Sequence, residues 1–110
     1  MAASPATGPA APGILYYDPN PTTAKLATAT LRLAGFEVFN ARASDDAVSL
    51  CKSHGPSGDG RIVALLLDAS ADPKVTAAVL RELVQIPGAA DLPGILMVSR
   101  KNPTPIPGAE

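Results

Sequence analysis

Arg61-Ile62-Val63-Ala64-Leu65-Leu66-Leu67-Asp68 is the stretch on which the fold turns. Every position from Ile62 to Leu67 is apolar, with no polar residue on alternate sites. A short run of this kind between loops reads as a strand buried on both faces, the strand of a parallel sheet. A polar loop, Gly55 to Gly60, leads into it, and Asp68 to Pro73 leads out.

Working outward, Gly13-Ile14-Leu15-Tyr16-Tyr17 is a second apolar, β-favouring run, stopped by Asp18-Pro19-Asn20-Pro21. Asn20 before Pro21 is a helix opening, a side-chain cap followed by proline at the first helical position. From Thr22 to Ala34, Leu26, Ala27, Thr30, Leu31 and Ala34 recur at helical spacing, and Gly35 ends the helix. Phe36 to Phe39 reads as a strand. Ser44 is placed to cap a second helix whose first turn carries Asp45 and Asp46, with Ala47, Val48, Leu50 and Cys51 as its buried face. A third helix is predicted over Lys74–Ile86, with Val75, Val79, Leu80, Leu83 and Val84 inward, and Gly94 to Ser99 reads as a last strand. The order β-α-β-α-β-α-β with short connections predicts an α/β fold, a parallel four-stranded sheet with right-handed crossovers and helices on both faces.

Composition sets the outer limits. The 110 residues suffice for one domain with a modest core. Nine basic against ten acidic side chains give a net charge of -1, so no global field draws the chain to nucleic acid or to an anionic membrane. The prolines avoid the apolar runs and gather at the ends, which predicts an Ala/Pro-rich tail over 1–12, a domain over 13–101 and a Pro-rich tail or linker over 102–110. Cys51 is the single cysteine and His54 the single histidine, too few for a disulfide or for a zinc site built from those residues. Cys51, on a buried helix face, is expected to be inert, and His54 to be an ordinary helix-end imidazole. No basic signal-peptide start and no apolar run approaching ~20 residues occurs. A cytoplasmic location is the expectation.

In an open parallel sheet, chemistry gathers outside the carboxyl ends of the strands. The residues there are Asp18, Asp68 and Ser99. Together they would place two carboxylates and a hydroxyl around one crevice.

These residues and their spacing resemble the receiver domain of two-component response regulators. Ile14 to Asp18 is similar to the family's first strand, which closes on two acids. Gly35-Phe36 is similar to its Gly-aromatic pair, Val63 to Asp68 to the strand bearing its phosphoacceptor, and Ile95 to Ser99 to the strand closed by a Ser or Thr switch. The resemblance implies a flavodoxin-like sheet of order 2-1-3-4. It also implies Asp68 as the phosphoacceptor-equivalent, Asp18 as part of an acidic pocket, Ser99 as the switch-equivalent and Mg²⁺ as the metal. Pro19 stands where the second acid, a direct metal ligand, belongs, so no cofactor is expected: Mg²⁺ needs octahedral oxygen donors, and losing a carboxylate weakens it. Asp72 is the one nearby acid that could replace it. The resemblance ends after the fourth strand, without the family's last helix-strand-helix and its lysine; Lys101 belongs to the wrong strand for that role.

The fourth strand would then be an unprotected apolar edge. That predicts an interface of Ile95, Leu96, Met97 and Val98 with a second copy, a homodimer, or with a histidine kinase or other signalling domain. The leading expectation is a non-catalytic receiver-like module, the front part of a two-component signalling protein. The alternatives are a working phosphoacceptor at Asp68 and a ligand-sensing pseudoreceiver for a small molecule such as a cyclic nucleotide. The last is disfavoured by the lack of any glycine in Asp18-Pro19-Asn20-Pro21.

Overall fold

The computed structural model describes residues 11–70 and 72–97. Four strands, β1 (Gly13–Tyr17), β2 (Glu37–Ala41), β3 (Ile62–Asp68) and β4 (Gly94–Met97), alternate with three helices, α1 (Pro21–Leu33), α2 (Ser44–His54) and α3 (Pro73–Leu83). All strand pairs are parallel, as the alternation of elements predicts, and the order is β2-β1-β3-β4, as the resemblance implies. The expected tails over 1–12 and 102–110, apart from Ala11 and Pro12, lie outside the described residues, as do Val98 and Ser99. Among the described residues no helix is long and apolar enough to cross a membrane.

Local chemistry explains the element ends. Asn20 caps α1, its side-chain oxygen accepting from the backbone N–H groups of Thr22 and Thr23, and Pro21 takes the first helical position. At the other end Gly35 adopts a positive φ of 99°. Its N–H donates to the Arg32 carbonyl while the Phe36 N–H reaches the Leu31 carbonyl. This paired closure satisfies two of the orphan carbonyls of the last turn, and Phe36 and Leu31 pack into one cluster beside it. The helix α2 differs from expectation. Ser44 is its first residue and not its cap; Ala43 holds the cap position with no side-chain bond, so Asp45 and Asp46 in the first turn supply the favourable charge. Asp72 caps α3, accepting from the N–H groups of Lys74 and Val75.

The sheet has two unlike faces. On one, Leu15, Tyr17, Leu65 and Leu67 pack with Cys51, Val79 and Leu83 into the main core beneath α2 and α3. On the other, α1 covers Ile14, Tyr16 and Val38 through Ala24, Ala27 and Leu31. Leu26, read from its spacing as part of the inward face, is instead 67% exposed, and Leu33 is 90% exposed. The small residues Ala24 and Ala27 let the helix axis approach the sheet, and the leucines form an outward stripe. Val75 on α3 is likewise exposed, in the first turn of its helix.

The strand β3 is not buried on both faces as its composition suggests. Leu65 and Leu67 are sealed, while Val63 is 45% exposed and Ala64 and Leu66 are half-buried. The register slips between Gly13 and Ile14, which pairs Gly13 with Ile62 but Ile14 with Ala64. Gly13 is required there: a Cβ would sit 2.4 Å from the Arg61 carbonyl oxygen, which accepts the Gly13 N–H at 3.0 Å.

Candidate functional site

Asp18 and Asp68 follow the neighbouring positions Tyr17 and Leu67, which are paired in register between β1 and β3. The topology therefore sets both carboxylates at the carboxyl end of adjacent central strands, where the sequence places them. Ser99 lies outside the described residues. Asp72 is engaged at the start of α3, and its cap bonds account for its position in physical terms.

Asp18 is almost wholly buried and fully partnered. Its Oδ2 accepts from the Tyr16 hydroxyl at 2.5 Å and from the Thr23 hydroxyl at 2.6 Å, and its Oδ1 accepts from the Asn20 N–H at 2.9 Å. A buried carboxylate demands such donors, because an unpaired charge in low dielectric is costly. Tyr16 supplies the shortest of the three. It stands two residues before Asp18 on one strand, so both side chains share a face. The Tyr16 phenol is pushed well above its ordinary value, first by burial, then by the hydrogen bond to Asp18 and the charges of Asp18 and Asp68. It therefore remains a neutral donor. The Asn40 amide nitrogen, one strand over, fixes the Tyr16 carbonyl at 3.1 Å. Tyr17, on the opposite face, is also raised, by burial and then by the charges of Asp18 and Asp72.

Asp68 is more open. Its Oδ1 accepts the Ser70 N–H at 2.8 Å, a local turn bond, and its backbone carbonyl accepts the Thr76 hydroxyl at 3.1 Å. No hydrogen bond from a described residue reaches its Oδ2.

A receiver-type Mg²⁺ does not fit these residues. The Asp18 oxygens are occupied by three protein donors, and Pro19 offers no carboxylate. Among the described residues no group of three metal-ligating side chains comes together. Asp68 alone is a poor match for an ion that wants octahedral oxygen ligation.

The sequence reading missed the Tyr16 and Thr23 hydroxyls. The signal was present, a hydroxyl-bearing aromatic at i−2 of a buried acid and a threonine in the first helical turn, but it becomes meaningful only once Asp18 is known to be buried. Two residues lie where the sequence places them. Cys51 is sealed in the core, and burial pushes its thiol up, away from reactivity. His54 sits at the end of α2, its Nδ1 2.8 Å from Asp59 Oδ2 and its ring stacked on Phe39 at 4.6 Å.

Solved structures share this architecture. A response regulator receiver domain protein from Clostridium thermocellum superposes with a TM-score of 0.64 at 20% identity, over 79% of this chain and 64% of that one. This is the receiver fold. The N-terminal domain of a response regulator receiver protein from Methanoculleus marisnigri gives a TM-score of 0.62 at 19% identity, over 76% of this chain and 63% of that one. The chemotaxis protein CheY4 of Vibrio cholerae gives 0.67 at 16% identity, over 84% and 74%. The chain thus spans less than two thirds of the length of the first two. No family model matches the chain, and no curated protein does.

Proposed function

We propose that this chain is a receiver-like signalling module of the two-component type that acts by homodimerisation or partner docking, without catalysis of its own. The observation that carries this reading is the closed state of Asp18. In a receiver that takes a phosphoryl group, the acids beside the phosphoacceptor must be free to bind a cation. Here three protein donors hold Asp18, and proline stands in place of its neighbour. The docking half of the reading is supported by β4, which among the described strands pairs only with β3, and by Ile95, 57% exposed opposite Leu66. Ile95 and its half-buried neighbour Leu66 form an apolar patch of the kind that marks interaction surfaces.

Beryllofluoride with Mg²⁺ mimics the phosphoryl group and tests the first half. The expected result is that amide resonances around Asp68 and Thr76 do not move, and that acetyl phosphate leaves the intact mass unchanged. Sedimentation velocity tests the second half: a concentration-dependent dimer is expected, dissociated by Ile95→Glu. A monomer at high micromolar concentration would remove self-association and leave docking to a histidine kinase or other signalling domain.

One observation favours a second reading, phosphoacceptance at Asp68. Its Oδ2 receives no hydrogen bond from a described residue, so one carboxylate oxygen is left available. In that case acetyl phosphate would add one phosphoryl group, releasing acetate, and Asp68→Asn would abolish the mass gain.

A further inference from the structure

A groove between α1 and β2 has the make-up of an anion site. It is lined by Lys25, Thr28, Arg32, Asn40 and Arg42, with Pro21, Ala24 and Ala29 as its apolar part, and encloses about 610 Å³. That volume is in the range of small-molecule sites, roughly 300–1,000 Å³.

Two observations converge on its chemistry. Lys25 and Arg32 are seven residues apart, so they lie along one side of α1 about 10 Å from each other. Arg42 comes from the first residue after β2, so the groove is flanked by cations from both elements. No acidic side chain lines it. The ion pairs among the described residues are His54–Asp59 and Arg61–Glu37, and neither engages any of these three. In a chain whose net charge is -1, this is a concentrated and uncompensated positive patch.

We propose that this groove binds a soluble small molecule bearing a phosphate group, the phosphate held by Arg32 and Arg42 with Lys25, and the organic part resting on Pro21 and Ala24. Guanidinium pairs suit phosphate because they offer paired, charge-assisted donors. The apolar portion of the lining favours a phosphate ester over the bare ion. Neither Asp18 nor Asp68 lines the groove, although it adjoins Asp18, whose N–H donates to the Ala41 carbonyl beside Arg42.

The test is an amide-shift titration of the whole chain with adenosine 5′-monophosphate and with inorganic pyrophosphate, beside a sulfate control. Saturable shifts are expected at Lys25, Thr28, Arg32, Asn40 and Arg42, with a Kd of roughly 1 mM or tighter. The double variant Arg32→Gln/Arg42→Gln should weaken binding at least tenfold, while Lys52→Gln on α2 should not. If the double variant loses its far-UV dichroism, the salt dependence of the unaltered chain decides: affinity must fall as ionic strength rises. Absence of saturation with both phosphate probes overturns the proposal, as does equal binding of sulfate, or affinity unchanged in the double variant. Co-sedimentation with phosphatidylglycerol vesicles without saturable binding of either soluble probe also overturns it, since the groove would then be reading a lipid surface.

Discussion

Beneath α2 and α3, Leu15, Leu65 and Leu67 are sealed against Val79 and Leu83; across the same sheet, α1 covers β1 and β2, while Leu66 is half-buried and Ile95 is open. The strands are shared, so backbone pairing cannot account for the difference. It comes from the number of helices available to each face among the described residues. Two helices meet over one face and bring large side chains to it. One helix lies on the other, through alanines. The closed face therefore carries the stability, and the open face carries both candidate sites for partners, the patch beside β4 and the cationic groove beside α1.

The most severe test is a matched pair on β3. Leu67→Ala empties a sealed position and should cost about 2–5 kcal/mol in urea unfolding. Leu66→Ala, one residue away but on the open face, should cost clearly less in the same experiment. Equal losses would mean that the second face is as well covered as the first, and would remove the basis for an exposed patch.

Tyr16→Phe comes next, because it probes the polar centre of the α1 face without changing shape. It withdraws one of the three donors to Asp18, and a loss of about 1–3 kcal/mol is expected at neutral pH. The pH dependence gives a second readout. Folding raises the Tyr16 phenol above its ordinary value near 10, so its contribution is complete below that pH and is lost as pH rises through the folded value. The native chain should lose stability steeply above about pH 10. The variant should show a shallower alkaline limb, not a flat one, because Tyr17 is raised as well. An unchanged limb would place the phenol outside the Asp18 network.

Why some of this was legible in advance and some was not follows from the residues. The succession of elements could be anticipated because apolar runs, Asn20-Pro21 and Gly35 are local signals that act over one or two turns, whereas the sheet order 2-1-3-4 came from the resemblance to receiver domains. The helix α1 was misjudged because it is apolar on two sides. Leu26 and Leu33 share a stripe, Ala24, Ala27 and Leu31 share another, and spacing alone does not say which meets the sheet. The spacing groups Leu26 with Ala27 and Leu31, and in the structure Ala27 and Leu31 meet the sheet while Leu26 is exposed. The positions of Asp18 and Asp68 could be anticipated since strand ends are topological. The saturation of Asp18 depends on burial and hydroxyl direction, and the groove joins Lys25 and Arg42 across a helix-to-strand packing contact, so neither had a linear signature. Thr28 also lines that groove, with its hydroxyl buried.

The two stripes of α1 supply a milder test. Leu26→Ser and Leu33→Ser should each change stability by no more than about 0.5 kcal/mol, since neither side chain is withdrawn from water. Ala27→Ser on the inward stripe should cost more. If the leucine variants proved as damaging as core truncations, α1 would have to be rotated on the sheet, and the cationic groove would be displaced with it.

The smallest effect is expected at the rim of the closed face, where His54 stacks on Phe39 and pairs with Asp59. The hydrogen bond from His54 holds the Asp59 carboxyl below its ordinary value, helped by the Arg61 N–H and the nearby positive charges. A lowered folded pKa contributes stability that is present above the unfolded value of about 3.9 and is lost as pH falls through the folded one. Asp59 is exposed, so solvent and salt screen the pair, and its effect should be confined to a modest acid limb. Asp59→Asn keeps an acceptor for the Arg61 N–H while removing the charge, so it isolates this contribution. Thermal melts between pH 5 and 2.5 should show a shallower acid loss in the variant at low salt, and the difference should shrink in 1 M salt. A difference that persisted in high salt would show that the rim pair is shielded by packing on Phe39, and would extend the closed face to its edge.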